Sequence, residues 1–274
     1  MSDRIVGNSL YLSLSRYPFL WGEGDLGRMA AEAMEWNPDF LEVDPVYGVV
    51  FALYCEREGI RLPNLKFIIA SYEFVSVIHR AILQRVFDVP VFNLYGSTET
   101  GHLLMEVENG EMRLSTETGF LEVLDADGRG VGDLVVTTLS NNYMPLIRYR
   151  IGDLARRQEH PYGTRYEVHG RVADALSSPD GRRVTVMDVD RCFDGIQGIA
   201  HYQISQPSAD TFLVRHVLDA GSPEPRKDAL SDLRRRLGDL LGGIETIKLE
   251  QIEGLLPERS GKFRLCYPCY PGNR

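Results

Sequence analysis

Leu65-Lys66-Phe67-Ile68-Ile69-Ala70 and Val91-Phe92-Asn93-Leu94-Tyr95-Gly96-Ser97-Thr98-Glu99 decide the fold of this chain. Leu65 to Ala70 and Val91 to Leu94 are short apolar runs of the kind that form buried strands. Between them Phe74 to Phe87 carries helical periodicity, so the segment predicts strand, helix, strand. Two strands joined by a helix of that length require a parallel sheet with helical cover. Ligands of such sheets lie beyond the carboxyl ends of the strands. Ser71-Tyr72-Glu73 and Tyr95-Gly96-Ser97-Thr98-Glu99 occupy those positions.

Upstream, Leu26, Met29, Ala30, Ala33 and Met34 recur at helical spacing, with Asp25 as the expected N-cap and Asn37-Pro38 as the stop. A second apolar helix is predicted from Pro45, a residue suited to a first turn, to about Glu58, with Gly59 at its end. Downstream, from Val107 to about Arg157, short strands alternate with the turn signals Asn109-Gly110 and Asp127-Gly128. After Gly170 a helix is predicted near Met187 to Phe193, and strands near His201 to Ser205 and Phe212 to Leu218. A long helix should follow over Arg226 to Leu241, with Leu230, Leu233, Leu237 and Leu240 on one face, and then a strand around Ile247 to Ile252. The expected class is α/β: a parallel sheet with helices and a β-rich subdomain, followed by a small α+β domain. The expected division is a core over 1–168, made of an α/β part (1–106) and a β-subdomain (107–168), and a C-terminal lid over 169–274.

At 274 residues and 43% hydrophobic, the chain can bury a substantial core. A net charge of −9 argues against a general nucleic-acid binder, whose affinity rests on clustered Lys and Arg. No apolar run reaches membrane-spanning length and the start is polar, so a cytoplasmic protein without membrane attachment is expected. Cys55, Cys192, Cys266 and Cys269 are too few and too scattered for a disulfide framework. Cys266-Tyr267-Pro268-Cys269 has C-x-x-C spacing but no second pair to complete a zinc site. Of the 30 basic residues only Lys66, Lys227, Lys248 and Lys262 are lysines, which singles out any lysine in a chemically suggestive setting.

Four segments carry candidate chemistry. In Tyr95 to Glu99 a hydroxyl could meet a phosphate and the Glu99 carboxylate could hold Mg²⁺, a cation that prefers oxygen ligands. Pro145-Leu146-Ile147-Arg148-Tyr149-Arg150-Ile151-Gly152-Asp153 ends in an acid, expected at a turn, able to accept two hydrogen bonds from vicinal ribose hydroxyls. Arg171, after Gly170, offers the fixed guanidinium fork. Ser260-Gly261-Lys262-Phe263-Arg264 presents a rare lysine on a loop. Singly, each could be structural: Glu99 a helix cap, Asp153 a turn acid, Arg171 and Lys262 surface cations.

In this order the segments resemble the adenylate-forming superfamily in its phenylacetate-CoA ligase and coenzyme F390 synthetase branch, from about Asn37 onward. The resemblance implies an acid ligase that converts a carboxylic acid, aromatic or otherwise bulky, and ATP to an acyl-AMP. It implies transfer of the acyl group to coenzyme A or a carrier-protein thiol, with Mg²⁺ as cofactor. Ser71, Tyr72 and Glu73 match the family's G-A-E adenine segment, with Ser in place of Gly. The family pattern puts Tyr95 near adenine, with Gly96 and Ser97 beside it in the nucleotide site. It puts Thr98 at the α-phosphate, Glu99 on Mg²⁺, and Asp153 with Arg171 at the ribose. Lys262 becomes the lid lysine that stabilises charge as the carboxylate attacks, so Lys262, Thr98 and Glu99 are the expected catalytic residues.

Two features depart from that family. The loop of type S-S-G-T-T-G-x-P that wraps the β- and γ-phosphates has no counterpart in Met1 to Trp36, so a form lacking the family's first subdomain is expected. Ala173 stands where the hinge Asp is usual, and Asp174 follows one position later. The alternative expectation is a relative that binds an adenylate or acyl thioester and acts as an acyltransferase or non-catalytic partner. A homodimer, or a partner polypeptide supplying the missing subdomain, would then complete the site.

Overall fold

The structure, a computed structural model, describes residues 2–12, 17–161, 163–223, 225 and 227–268. Helix α1 (Glu23–Trp36) turns Leu26, Met29, Ala30 and Ala33 inward. It starts earlier than its apolar spacing suggested. Asp25, expected as the N-cap, lies inside the first turn and its carboxylate accepts the Gly22 amide at 3.1 Å. The helix ends at Asn37, whose left-handed backbone (φ 52°) returns its N–H to Ala33 O.

Strand β1 (Phe40–Val43), too short to show in the sequence pattern, leads to Asp44. The Asp44 side chain accepts the amides of Val46 (2.9 Å) and Tyr47 (3.4 Å) and so caps α2 (Pro45–Arg57). Strand β2 (Phe67–Ala70), helix α3 (Val77–Phe87) and strand β3 (Val91–Ser97) complete two parallel crossovers. Ile68 and Val91 lie opposite one another and pack with Leu26, Ala52, Ile82 and Leu83.

Beyond β3 the chain is antiparallel: β4 (Gly101–Glu106), β5 (Met112–Leu114), β6 (Gly119–Leu124), β7 (Val131–Thr138), β8 (Tyr149–Gln158) and β9 (Arg165–Arg171). These strands do not form a separate sheet. All nine pair in the order β1-β2-β3-β4-β5-β9-β8-β7-β6, so the β-rich segment extends the parallel sheet through β3. Strand β3 is parallel to β2 and antiparallel to β4, and the β3–β4 register slips between Tyr95 and Gly96. Gly96 is required there: a Cβ would lie 2.2 Å from Gly101 O and 2.8 Å from His102 Cα.

The C-terminal part has its own core. Helix α4 (Val186–Asp190), strands β10 (Ile199–Ser208) and β11 (Thr211–Leu218), helix α5 (Lys227–Leu241), β12 (Ile247–Gln251) and β13 (Cys266–Tyr267) build a four-stranded sheet of order β12-β11-β10-β13. Leu233, Leu237 and Leu241 of α5 pack on Phe193, Tyr202, Ile204 and Phe212. Cys55, Cys192 and Cys266 are free and buried, and Cys269 lies outside the described residues. No described helix is long and apolar enough to cross a membrane.

Helix α3 joins the two cores, since Ile78 belongs to the C-terminal cluster while Ile82, Leu83 and Val86 belong to the N-terminal one. At its N-terminus Asp190, buried in α4, accepts from the Ser76 hydroxyl, from the Val77 amide (3.0 Å) and from the Tyr202 hydroxyl (2.9 Å). At its other end Arg85 reaches Asp219 at 2.6 Å, next to β11. Rings meet across the same junction, with His79 Nε2 and His201 Nδ1 3.1 Å apart.

Two substitutions test this architecture by chemical denaturation. Gly96→Ala forces backbone against backbone and is expected to cost about 1–3 kcal/mol. Asp190→Ala leaves three donors without their acceptor; at about 1–3 kcal/mol for a stranded buried donor, it is expected to loosen the C-terminal part first. Wild-type stability in either variant would contradict the packing described.

Candidate functional site

A cavity of about 860 Å³ opens where the carboxyl ends of β2 and β3 face the C-terminal part. Its walls include Tyr72, Glu73, Tyr95, Gly96, Ser97, Thr98, Glu99, Asp153, Arg171 and Lys262. Of the candidate residues from the sequence only Ser71 is not on its lining: it is buried and its hydroxyl donates to Glu42 at 3.1 Å.

Each wall has a local cause. Strand β3 runs on through Ser97, so Tyr95, Gly96 and Ser97 are strand residues rather than a loop, and Thr98 to Thr100 form the turn into β4. No helix follows Glu99, which removes helix capping as its role. The Ser97 and Thr100 hydroxyls are 3.0 Å apart and pin that turn. After β2 the backbone bends sharply, with Tyr72 at φ 73°, an uncommon conformation for a residue with a side chain.

Asp153 is not at a turn. It lies within β8, beside an irregularity in the β8–β7 pairing, directly opposite Arg171 of β9. Its carboxylate accepts the Tyr95 hydroxyl at 2.6 Å, and Arg171 Nε is 3.7 Å away. The phenol is therefore committed to Asp153 in this structure. Burial pushes the Asp153 carboxyl up, while the Tyr95 hydroxyl and the charges of Arg171 and Lys262 pull it back. Glu99 behaves oppositely: exposed, and held below its ordinary value first by the Ser97 hydroxyl, then by a backbone amide, Arg171 and Lys262.

Lys262 reaches the cavity on a short loop closed by two backbone bonds, Glu258 N–H to Lys262 O and Gly261 N–H to Glu258 O, each 2.9 Å. Next to it the Phe263 amide donates to Glu73 Oε1 at 2.6 Å. The Phe263 ring packs among Val46, Val217 and Leu255, edge-on to Phe19 and Tyr47. On the far side Arg264 binds Asp174 at 2.6 Å and Ala173 O at 3.0 Å. The acid displaced by one position at the hinge is thus bound to the lysine loop.

Two residues escaped the sequence-based selection. Asp44 caps α2 and its charge pushes the Glu73 carboxyl up, after burial. Its only sequence signal was its place before Pro45, which reads as a helix cap. Arg264 was quoted as part of a loop, with nothing to show that it would meet Asp174 from a point 90 residues away.

For a divalent cation the chain offers Glu99, ionised and at the cavity rim. No cluster of three or more His, Cys, Asp or Glu that could hold a metal occurs among the described residues. That donor set fits Mg²⁺ bound through one carboxylate plus phosphate oxygens and water, and does not fit a cation caged by protein.

Comparison with known proteins agrees with this geometry. Residues 176–267 match the CapK C-terminal domain. The chain is 26% identical over 181 residues to protein CapK of Staphylococcus aureus, covering 62% of this chain and 40% of that protein. It is 30% identical over 136 residues to phenylacetate-coenzyme A ligase of Pseudomonas putida, covering 44% of this chain and 30% of the ligase. The matches thus span less than half the length of these relatives. The fold matches 2-hydroxyisobutyryl-CoA ligase in its postadenylation state with a TM-score of 0.71 at 21% identity, over 91% of this chain and 59% of the ligase. The nine-stranded sheet and its C-terminal part thus have the fold seen in 2-hydroxyisobutyryl-CoA ligase, and over part of its length the chain is similar in sequence to protein CapK and to phenylacetate-coenzyme A ligase.

Proposed function

We propose that this chain binds a nucleotide in the cavity and activates a carboxylic acid as its acyl-AMP. The observation that carries this reading is the meeting of Lys262 with Thr98, Glu99, Asp153 and Arg171 around one cavity. In this reading Tyr72, Glu73 and the Tyr95–Gly96–Ser97 strand end, with Ser71 behind them, form the adenine side. Asp153 and Arg171 serve the ribose, Asp153 keeping one oxygen for the Tyr95 hydroxyl. Thr98 meets the α-phosphate and Glu99 holds Mg²⁺, which would offset phosphate charge as pyrophosphate leaves. Lys262 supplies a mobile cation beside the attacking carboxylate. An ammonium on a flexible stem suits that task, since the charge it must meet develops only during the reaction. The acyl group would pass to the thiol of coenzyme A or of a carrier protein. An aromatic or other bulky acid is the proposed substrate, in line with the phenylacetate-CoA ligase similarity.

A second reading keeps the same cavity but not the first step. The matched regions cover less than half of protein CapK and of phenylacetate-coenzyme A ligase, so this reading assigns the groups that hold the β- and γ-phosphates to the rest of such a protein. The chain would then bind an adenylate or acyl thioester made elsewhere, or act with a second copy or a partner polypeptide that supplies those groups. Calorimetry separates the two: adenylation requires ATP to bind at least as well as AMP, and the second reading requires AMP or an acyl-AMP to bind more tightly.

Acid-dependent pyrophosphate release across a panel of aryl and alkyl acids is the direct assay. Lys262→Ala is expected to lower the rate about 10²- to 10³-fold, the scale for loss of one preorganised electrostatic contact, with a much smaller effect on AMP affinity. Chelation of Mg²⁺ should stop release and leave AMP binding in place. No release with any acid at saturating ATP would refute adenylation by this chain acting alone.

A further inference from the structure

Lys262 lies on a turn that one side chain grips from two directions. The Glu258 amide donates to Lys262 O at 2.9 Å, and the Glu258 carboxylate accepts Arg264 Nη1 at 3.2 Å. Arg264 Nη2 reaches the other way, to Asp174 Oδ1 at 2.6 Å and to Ala173 O at 3.0 Å. The guanidinium carbon lies 4.8 Å from the centre of the Tyr267 ring in β13. The Arg264 side chain is 18% exposed and that of Asp174 13%, so both charges of the pair are largely withdrawn from water. An exposed ion pair contributes little. An enclosed one, in which a planar fork meets a carboxylate and a carbonyl together, fixes geometry.

Arg264 holds the route by which the chain leaves the sheet. Arg171, the last residue of β9, stands opposite Asp153. A short 3₁₀ turn, Val172–Asp174, follows directly. From Asp174 one ion pair leads to Arg264, and the chain leads back from there to Lys262. We propose that Arg264 is a positioning residue, which clamps the Lys262 turn to the segment 173–174 and so holds the lysine at a set place relative to the Asp153–Arg171 pair. The clamp stands on these contacts; its bearing on a reacting lysine rests on the function proposed above.

Neighbouring contacts divide the task. Phe263 N–H to Glu73 (2.6 Å), Gln203 Nε2 to Arg264 O (3.2 Å) and Ile204 N–H to Leu265 O (2.8 Å) hold the chain after Lys262. The Arg264–Glu258 contact holds the chain before it. A lysine at 264 would keep a charge near Asp174, but it has no fork to reach Asp174, Ala173 O and Glu258 at once and no planar face for Tyr267. Burial pushes the Asp174 carboxyl up, and the charge of Arg264 is the first of the influences that pull it back. Loss of Arg264 therefore strands a buried acid as well as releasing the turn.

Hydrogen exchange at the amides of Glu258, Gly261 and Phe263, measured on the full chain, reads the clamp without any turnover. In Arg264→Met these amides should exchange on the order of tenfold to hundredfold faster, while α5 and β10 keep their protection. Arg264→Lys should fall between Arg264→Met and the wild type. If Arg264→Met opens the whole C-terminal core, Asp174→Asn takes its place, since it keeps the shape and removes the charge, and should speed the same amides about tenfold. The functional readout is a cycle with Lys262. Arg264→Met should lower the turnover of acid-dependent pyrophosphate release about 10²-fold, the scale for a displacement of about 1 Å, with AMP affinity unchanged. In a Lys262→Ala background it should cost nothing more, as for any residue that acts through the lysine. Unchanged exchange at the turn, or a loss that adds in full to that of Lys262→Ala, would overturn the clamp. If exchange responds as expected but the wild type releases no pyrophosphate with any acid, the adenylation reading fails and the clamp stands; normal turnover with unchanged exchange removes the clamp alone.

Discussion

Asp190 places a buried carboxylate at the N-terminus of α3, where Ser76, the Val77 amide and Tyr202 converge on it. Helix α3 covers the parallel sheet, while Asp190 and Tyr202 belong to the C-terminal core. A buried acid held by three donors tolerates little displacement, because each donor it abandoned would remain without water to replace it. With the Arg85–Asp219 pair at the other end of α3, it holds the C-terminal part on the sheet, and with it the loop at 258–264. The cavity exists because of that placement: its floor is the end of the sheet, and its roof is the C-terminal part.

Within the cavity the charges are arranged unequally. Asp153 is buried, engaged by a phenol and faced by a guanidinium, so it is a fixed acceptor. Glu99 is exposed and kept ionised by the turn that carries it, which leaves it free to meet a cation. Lys262 is exposed as a side chain although the two residues after it are bound, Phe263 through its amide to Glu73 and Arg264 through its guanidinium to Asp174. A mobile charge on an anchored loop differs from a mobile loop. Only the side chain is left free to move within the cavity.

Over residues 176–267 the α+β roof is similar to the CapK C-terminal domain, and part of the chain is similar in sequence to phenylacetate-coenzyme A ligase. What the relatives hold in the rest of their length lies outside the matched regions, so activity in this chain must be measured on the chain itself.

Much of the plan was legible from residue order. The spacing of Leu26 to Met34, the proline at 45 and the leucine stripe of α5 each announce a helix, since helical burial repeats every three to four residues. The candidates at 71–73 and 95–99 could be named because strand ends carry ligand sites in such sheets, Asp153, Arg171 and Lys262 because their segments resemble a known family, and all but Ser71 came to the cavity wall. Other features had no local signal. The four-residue strand β1 is too short for a period, and the continuity of the nine strands depends on pairing partners distant in sequence. Asp25 and Asp153 were misplaced locally for a related reason: a cap or a turn acid is decided by where the backbone bends, which neighbouring strands and helices determine.

The sequence by itself determined the alternation of elements, the acidic surface balance and the identity of the groups available for chemistry, because these depend on side-chain type and on spacing of a few residues. Tertiary structure alone decided which of those groups meet. Tyr95 with Asp153 and Glu73 with Phe263 are pairings over long stretches of chain, the first formed within the nine-stranded sheet and the second only when the sheet and the C-terminal core close on one another. Burial then set their charge states, and burial is a property of the packed molecule rather than of any segment of it.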